Sequence, residues 1–303
     1  MSKIAFLFPG QGAQKVGMCQ ELYNSLPQAK ALFVQASEVL GYDLADVCFN
    51  GPEEKLNSTV ISQPALYVCS MAALESLKLE QADVVESISA AAGLSLGEYT
   101  AIAFAGGVSF EDGLKLVQKR GEAMQEAADA TPSGMVSVLG LDRDKVAEVC
   151  NRARVEGEVL QPANYLCPGN IAVSGQTQSC ENVAAVAADA GAMKSVPLAV
   201  AGAFHTSIME SAVDKLSAVL DSVQFSETRI PVYSNVDATA HTEPDELKAL
   251  LLKQVCSPVL WHDSIQKMLD DGFMKFYEVG PGRVLRGLLK RTSRKTPCEG
   301  TLD

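Results

Sequence analysis

The sequence predicts an α/β protein made of a large domain with a parallel-sheet core and a small ferredoxin-like α+β subdomain inserted into it. Short apolar runs alternate with amphipathic helical stretches, a pattern typical of α/β proteins. The chain has 303 residues, of which 47% are hydrophobic and 20% charged, a composition that supports a substantial core. A stretch in the middle of the chain has a different order of elements and predicts the second unit.

The large domain is predicted from buried runs on both sides of that middle stretch. The apolar run at residues 4–8 ends abruptly at Pro9-Gly10, as an inner strand followed by a turn would. We predict further elements on the same grounds: strands over residues 4–8, 87–92, 232–235 and 276–279, and helices over residues 64–77 and 96–104.

The middle stretch has the order of a ferredoxin-like unit. We predict strands over residues 136–139, 159–161, 171–174 and 194–198, and helices over residues 143–154 and 179–190. A Pro/Asn/Gly turn joins the two central strands, so the order is β-α-β-β-α-β. We therefore predict a small subdomain over residues 129–198 and a large catalytic domain formed by residues 1–128 and 199–303.

Composition and charge exclude several function classes. A formal net charge of −12 argues against a general nucleic-acid binder, which would need a basic surface. No apolar run reaches the roughly 18–20 residues of a membrane span, and the run at 4–8 is too short for a signal peptide. Eight cysteines without CxxC pairs or zinc spacing fit a reducing compartment and predict no metal site. We expect a monomer in the cytoplasm, or in a plastid or the mitochondrial matrix after loss of a transit peptide.

A G-x-S-x-G motif, Gly93-Leu94-Ser95-Leu96-Gly97, lies between a predicted strand and a predicted helix. A sharp strand-to-helix bend exposes the hydroxyl of its serine, as in α/β-hydrolase-like domains, and the glycines let the bend close. The following helix N-terminus favours developing negative charge. The alternative is that the glycines only end a strand and begin a helix. The flanking pattern favours a nucleophilic serine.

A serine nucleophile needs a base, and the chain has three histidines. His241 lies in a polar segment and is predicted to face solvent. His205 follows small residues and precedes Thr206, which can cap a helix. We favour His205 as the base ahead of His262, although the residues alone leave both open.

Acyl transfer also needs N–H groups aimed at the developing oxyanion. The N–H of Leu96, directly after the serine, is the expected first donor. The Gly10-Gln11-Gly12 turn after the first strand can supply the second, because glycines let backbone approach a ligand. The turn lacks both phosphate-loop patterns.

Six motifs together resemble the malonyl-CoA:acyl carrier protein transacylases of fatty acid synthesis and the acyltransferase domains of polyketide synthases. The resemblance runs from residue 4 to about residue 291 and rests on the order of these segments. They are Phe8-Pro9-Gly10-Gln11-Gly12-Ala13-Gln14, the motif from Gly93 to Tyr99, Lys119-Arg120-Gly121-Glu122-Ala123-Met124-Gln125, Gly202-Ala203-Phe204-His205-Thr206, Ser234-Asn235-Val236-Asp237 and Glu278-Val279-Gly280-Pro281-Gly282.

The resemblance implies a ping-pong transfer of malonyl from malonyl-CoA to acyl carrier protein, with no bound cofactor. Ser95 would carry the acyl ester and His205 would be its base. The carbonyl of Gln254 would hold the histidine, and the N–H groups of Gln11 and Leu96 would form the oxyanion hole. The substrate-binding residues would be Arg120, Gln63, Phe204, Met124 and Asn164.

Acyl specificity is predicted from Arg120 and Phe204. A guanidinium binds a carboxylate bidentately, and a buried one rejects neutral acyl chains because its charge would stay unpaired. A lone helix arginine is otherwise more often on the surface. Phe204 and Leu96 resemble the malonyl form, in which a bulky ring leaves little room for an α-methyl group. Leu94 departs from the family, which usually has histidine there and thus a polar neighbour beside the serine.

A basic stretch near the C-terminus is a candidate docking site for the acidic carrier protein, near Arg283, Arg286, Lys290 and Arg291. The alternative is a solvated helix end whose cations favour the helix dipole. Competing functions are a serine esterase or thioesterase on the same bend, a transferase of methylmalonyl or another acyl group, and a non-catalytic binding protein. The last would have lost Ser95, His205 or Arg120, and all are present.

Overall fold

The structure is a computed structural model that describes residues 3–302. The strands are β1 (Lys3–Phe8), β2 (Ile88–Gly93), β3 (Ser133–Leu139), β4 (Leu160–Cys167), β5 (Asn170–Gln176), β6 (Lys194–Pro197), β7 (Val232–Tyr233), β8 (Ala240–His241), β9 (Phe273–Glu278) and β10 (Cys298–Gly300). The helices are α1 (Gln20–Ser25), α2 (Pro27–Leu40), α3 (Leu44–Asn50), α4 (Glu53–Asn57), α5 (Thr59–Glu80), α6 (Ala82–Ser87), α7 (Leu96–Phe104), α8 (Phe110–Ala130), α9 (Arg143–Ala153), α10 (Thr177–Asp189), α11 (Glu210–Ser222), α12 (Pro244–Gln254), α13 (Trp261–Asp270) and α14 (Val284–Thr292), with a short 3-10 helix at Ser207–Met209.

The larger sheet has the order β10-β9-β1-β2-β7-β8 and is parallel except for β8. Its central strand β1 is buried on both faces, which explains its unbroken apolar sequence. Phe6 and Phe8 face one apolar cluster with α5, α7 and α8, whereas Ala5 and Leu7 face a second cluster with α13 and α14. The predicted parallel-sheet core is confirmed.

The smaller sheet is antiparallel in the order β4-β5-β3-β6, and α9 and α10 cover one face with their apolar side chains. This is the ferredoxin-like order that the sequence predicts. Strand β4 continues to Cys167, well past the predicted 159–161. The prediction ended early because Pro162 interrupts the strand pattern in the sequence. In the structure the pairing with β5 shifts register after Pro162 and the strand then continues. All six elements lie inside the predicted range 129–198, whose end points stay a prediction.

Several elements of the large domain differ in length from the prediction: β9, for example, runs over Phe273–Glu278 and not over residues 276–279, and two other differences affect the core and the site. Helix α5 begins at Thr59, five residues before the predicted start, and therefore contains Pro64. Its first turn is closed by the N–H of Ser62, which donates to the carbonyl of Ser58 at 2.8 Å. Strand β7 ends at Tyr233 and releases Asn235 from the ladder. That release places the Asn235 side chain at the site described below.

Two sets of contacts attach the small sheet to the large domain. The N–H of Tyr165 on β4 donates to the carbonyl of Val259 at 2.9 Å, and the N–H of Val259 donates to Ala163 at 2.8 Å. Arg143, at the start of α9, binds both carboxylate oxygens of Asp263 on α13, at 2.6 and 2.7 Å. The two units are therefore joined by main-chain hydrogen bonds as well as by an ion pair.

One helix among the described residues, α5, is long and apolar enough to cross a membrane by length and composition. Most of that helix is buried inside the fold, packed against α2, α7 and α8. Its apolar character is explained by this central position in the core.

Candidate active site

Ser95 occupies the bend between β2 and α7 in a strained conformation, with φ 51° and ψ −100°. Glycines on both sides make this bend possible. A Cβ on Gly93 would lie 1.9 Å from the carbonyl carbon of Gly97, and one on Gly97 would lie 2.0 Å from the carbonyl oxygen of Phe8. No side chain fits at either position, so the G-x-S-x-G spacing follows from backbone packing.

His205 lies next to Ser95, with 2.9 Å between Nε2 and the serine Oγ. Its Nδ1 lies 2.8 Å from the carbonyl oxygen of Gln254, which can only accept, so Nδ1 carries the proton and Nε2 is free to accept from the hydroxyl. Burial lowers the pKa of His205 to about 4, with a further contribution from the Arg120 cation. The imidazole is thus neutral at pH 7.

The small subdomain holds the histidine loop in place. Ser174 on β5 donates to the carbonyl of Phe204 at 2.8 Å, and the N–H of Ala203 donates to Ser133 Oγ on β3 at 3.0 Å. Thr206 caps the 3-10 helix that follows. His262 lies on α13, and His241 contacts Asp237 and Glu246, so the structure brings neither to Ser95.

Arg120 projects from α8 into the same site and is only 2% exposed. Its Nη2 donates to Ser95 Oγ at 2.9 Å and to Gln254 Oε1 at 3.0 Å, and its Nη1 donates to Gln63 Oε1 at 2.8 Å. Burial lowers the pKa of this guanidinium. Arg120 is therefore a buried cation fixed against the serine, and the surface alternative weighed from the sequence is wrong.

Glycine packing positions Arg120. A Cβ on Gly121 would lie 2.7 Å from the carbonyl oxygen of Thr59, so α8 approaches α5 more closely than any larger residue would allow. The guanidinium also lies 5.3 Å from the centre of the Tyr99 ring.

The two predicted oxyanion donors belong to neighbouring segments. A Cβ on Gly10 would lie 2.2 Å from the carbonyl oxygen of Leu94, so the Gly10-Gln11 turn packs directly on the serine bend. Leu96 is the first residue of α7, where helix N–H groups have no intrahelical acceptor. Within residues 3–302, neither the Gln11 nor the Leu96 N–H donates to another protein group. Their role as oxyanion donors stays a prediction.

Two further residues complete the site, and the sequence reasoning assigned no role to either. Asn235 Oδ1 accepts from the N–H of Ser95 at 2.6 Å, and its Nδ2 donates to the carbonyl of Gly93 at 2.8 Å, so it ties both sides of the bend. Glu98 Oε2 accepts from Gln254 Nε2 at 2.6 Å and from the Asn235 N–H at 3.1 Å. For Glu98, the sequence offered one signal: it is the only charged residue in the helix 96–104.

The remaining predicted residues have different surroundings. Met124 is buried, and its Sδ lies 3.9 Å from Gln63 Nε2. Phe204 is 6% exposed beside His205. Asn164 lies on β4 with its Oδ1 buried and unpaired in the described part of the chain, and no hydrogen bond joins it to Ser95. Leu94 packs in the apolar cluster with α13 and α14. The residue before Ser95 is therefore an apolar core side chain here, where the family usually has a polar histidine.

The basic C-terminal residues do not form a uniform patch. Arg286 is turned inward, with its Nε 3.5 Å from the buried carboxylate of Glu278. Arg283, Lys290 and Arg291 are exposed on or next to α14. Among residues 3–302, no group of three or more His, Cys, Asp or Glu side chains could hold a metal ion.

A parallel α/β fold with a serine at a strained bend, a neutral imidazole on its hydroxyl and a guanidinium beside it defines the class of proteins built for acyl chemistry on serine. Residues 5–300 match the family model described as acyl transferase domain. The chain belongs to this acyl transferase family.

Relatives and solved structures agree with this assignment. The chain is 42% identical over 295 residues to the malonyl CoA-acyl carrier protein transacylase of Bacillus subtilis, covering 97% of this chain and 92% of the relative. An acyl carrier protein S-malonyltransferase from Vibrio cholerae superposes with a TM-score of 0.92 at 39% identity, covering 99% and 96% of the two chains. A malonyl-transacylase solved in complex with a type II polyketide synthase acyl-carrier protein gives a TM-score of 0.94 at 35% identity, with coverage of 99% and 96%.

Proposed function

We propose that this chain transfers malonyl from malonyl-CoA to the phosphopantetheine thiol of an acyl carrier protein, through an ester on Ser95, in fatty acid biosynthesis. The observation that carries the proposal is the guanidinium of Arg120, which lies 2.9 Å from the hydroxyl expected to carry the acyl group. In a malonyl ester only a carbonyl carbon and a methylene separate that oxygen from the free carboxylate. A fixed cation beside the nucleophile therefore suits a short dicarboxylic acyl group.

The geometry supports the first half-reaction as follows. His205 Nε2 takes the hydroxyl proton as Ser95 Oγ attacks the thioester carbonyl, and the N–H groups of Gln11 and Leu96 bind the oxyanion. When the intermediate collapses, the C–S bond breaks, and the coenzyme A thiolate leaves with the proton held by His205. The product is a malonyl ester on Ser95.

The second half-reaction reverses these roles. The carrier thiol gives its proton to His205 and attacks the ester carbonyl, and Ser95 recovers its proton as the C–O bond breaks. Coenzyme A enters and leaves as a substrate, so we propose that no bound cofactor takes part. The bacterial transacylases to which the chain is similar support a cytoplasmic location.

The choice of malonyl over neutral acyl groups follows from the burial of Arg120. A neutral acyl chain would displace hydrogen bonds that the buried cation makes and would offer no anion to accept them, which is costly. The ring of Phe204 beside His205 supports malonyl over a branched analogue, for which the discrimination by shape is worth about 1–3 kcal/mol.

Transfer and hydrolysis are separated by following the fate of the acyl group. The purified protein is mixed with labelled malonyl-CoA, with and without a phosphopantetheinylated carrier protein. We expect label on the carrier and little free malonate while carrier is present. Rapid release of free malonate in the presence of carrier would identify a thioesterase and contradict the proposal.

A further inference from the structure

The site encloses two opposite charges that are joined by one neutral amide. Glu98 is fully buried and Arg120 is 2% exposed. The Gln254 side chain lies between them: its Nε2 donates to Glu98 Oε2 at 2.6 Å, and its Oε1 accepts from Arg120 Nη2 at 3.0 Å. The amide orientation is thereby fixed at both ends, and the two charges balance each other inside the protein.

The two oxygens of Glu98 are not equally satisfied. Oε2 accepts from both Gln254 and the Asn235 main chain, whereas Oε1 is buried and accepts no hydrogen bond of normal length among residues 3–302; the neutral Ser234 hydroxyl is close enough to favour the carboxylate only weakly. An ionised carboxylate normally needs hydrogen bonds on both oxygens when it is removed from water. Burial raises the pKa of Glu98 to about 7, although the hydrogen bonds and the Arg120 cation act in the opposite direction.

Binding of the acyl carboxylate, as required by the proposed function, upsets this balance. A second anion would pair with Arg120, so that one cation would serve two buried carboxylates. When two carboxylates share a site, one of them is driven toward its protonated form. Glu98 is the natural acceptor of that proton, because it is the carboxylate with an unsatisfied oxygen.

We propose that Glu98 takes up one proton from solvent when the acyl carboxylate pairs with Arg120, and returns it when the acyl group leaves. Above pH 7, where Glu98 is mostly ionised in the empty site, the site would then hold no net charge in either state. The inference rests on the proposed function and extends it, since it makes Glu98 a residue that sets the affinity for the free carboxylate. Glu98 acts through Gln254 and Arg120 and is a positioning residue.

Two other titratable groups face the same cation. Tyr99 lies on the helix of Glu98, and burial raises the pKa of its phenol, which stays neutral. His205 is the real competitor for the proton, because pairing of Arg120 with an anion would also favour the imidazolium. Ser234, Asn235 and Gln254 supply only neutral groups to Glu98. A test must therefore separate Glu98 from His205.

The test measures proton uptake by titration calorimetry in two buffers of different ionisation enthalpy. Ser95→Ala protein is titrated with malonyl-CoA, so that binding occurs without acylation, and acetyl-CoA serves as the ligand without a free carboxylate. We expect malonyl-CoA to take up close to one proton more than acetyl-CoA near pH 8. Above pH 7 the affinity for malonyl-CoA should decrease with rising pH, and the decrease should approach about tenfold per pH unit. The same uptake by both ligands would overturn the inference.

Glu98→Gln in the Ser95→Ala background isolates the charge. The new amide oxygen can take the place of Oε2 and keep both hydrogen bonds, and the new NH₂ takes the place of the unpaired Oε1. The extra uptake should vanish and the malonyl-CoA affinity should become independent of pH. Extra uptake that persists in this variant would assign the proton to His205 and overturn the inference.

Glu278→Gln is the matched control. Glu278 is also a fully buried carboxylate, and it accepts from the main-chain N–H groups of Leu285 and Arg286 at 2.9 Å. Its neutralisation should leave the malonyl-specific uptake unchanged, and loss of uptake there would count against a specific role for Glu98. Failure of the wild-type protein to be acylated by malonyl-CoA would instead overturn the proposed function itself.

Discussion

The chemistry of the site depends on two side-chain contacts of the Ser95 hydroxyl. It lies between the acceptor nitrogen of His205 and a donor nitrogen of Arg120, each 2.9 Å away. The sequence could predict these three residues because a glycine-framed serine, a histidine after small residues and a family motif each leave a local signal. Glu98 and Asn235 also lie within motifs of the family, but their roles could not be assigned from the sequence, because these roles depend on contacts across more than 130 residues of chain.

Removal of the cation should change acyl preference more than it changes the chemistry. We expect Arg120→Ala to slow acylation by malonyl-CoA roughly 100- to 5000-fold, since a buried carboxylate would lose its partner, worth about 3–5 kcal/mol. Acylation by acetyl-CoA should fall much less. Single-turnover rates with both thioesters measure the ratio, and Lys119→Ala, which removes an exposed cation of the same helix, is the control. Equal losses for both thioesters would contradict a carboxylate-binding role.

The pH dependence of acylation should reflect the low pKa of His205. With a pKa of about 4 the imidazole is neutral, and able to accept the serine proton, down to unusually low pH. Acylation by acetyl-CoA, which does not engage Arg120, should therefore hold its rate from pH 8 to about pH 5 and fall near pH 4. A stopped-flow pH profile gives this limb. An acidic limb near pH 6.5, the ordinary value for histidine, would show that the base is not buried as described.

At the scale of elements, the bend at Ser95 forms because neighbouring backbone segments pack in direct contact, with no room for a side chain between them. Strand β2, helix α7 and the turn after β1 meet at Gly93, Gly97 and Gly10. The sequence predicted helix 96–104 with the bounds that the structure has, since its motif marks the start. It underestimated β4, whose polar residues and Pro162 hide a strand that is held by main-chain bonds to Val259.

Two helical glycines should respond in opposite ways to alanine. Gly97→Ala places a methyl group 2.0 Å from the Phe8 carbonyl and should destabilise the protein by about 3 kcal/mol or more. Gly287→Ala on α14 meets nothing within 4 Å and should stabilise it by about 0.5–1 kcal/mol. Denaturant unfolding of both variants measures the two free energies. Similar values for the two would contradict the packing described for the bend.

At the scale of the whole molecule, the two units both contribute to one site. The large sheet supplies Ser95 and the helices supply Arg120 and Gln254, while β3 and β5 of the small sheet fix the loop of His205. The order of elements predicted both units. The way the two units pack against each other could not be predicted, because it depends on contacts between residues far apart in the sequence. Arg143 and Asp263, for example, are 120 positions apart.

Carrier docking should depend on the exposed part of the basic stretch. Reversal of Lys290 and Arg291 to glutamate should slow transfer to the carrier and flatten its salt dependence, because attraction between charged surfaces raises the association rate. Acylation by malonyl-CoA should not change. Lys115→Glu, on the exposed face of α8, is the control reversal. Unchanged carrier-dependent turnover and salt dependence in the double variant would place docking elsewhere.

The central claim is that Ser95 carries the acyl group, and intact-protein mass spectrometry tests it most directly. After mixing with malonyl-CoA in the absence of carrier, we expect a mass gain of about 86 Da, the malonyl unit of a serine ester. Peptide mapping should place that gain on the segment containing Ser95, and Ser95→Ala should show none. A gain that persists in Ser95→Ala, or that maps to another residue, would contradict the account.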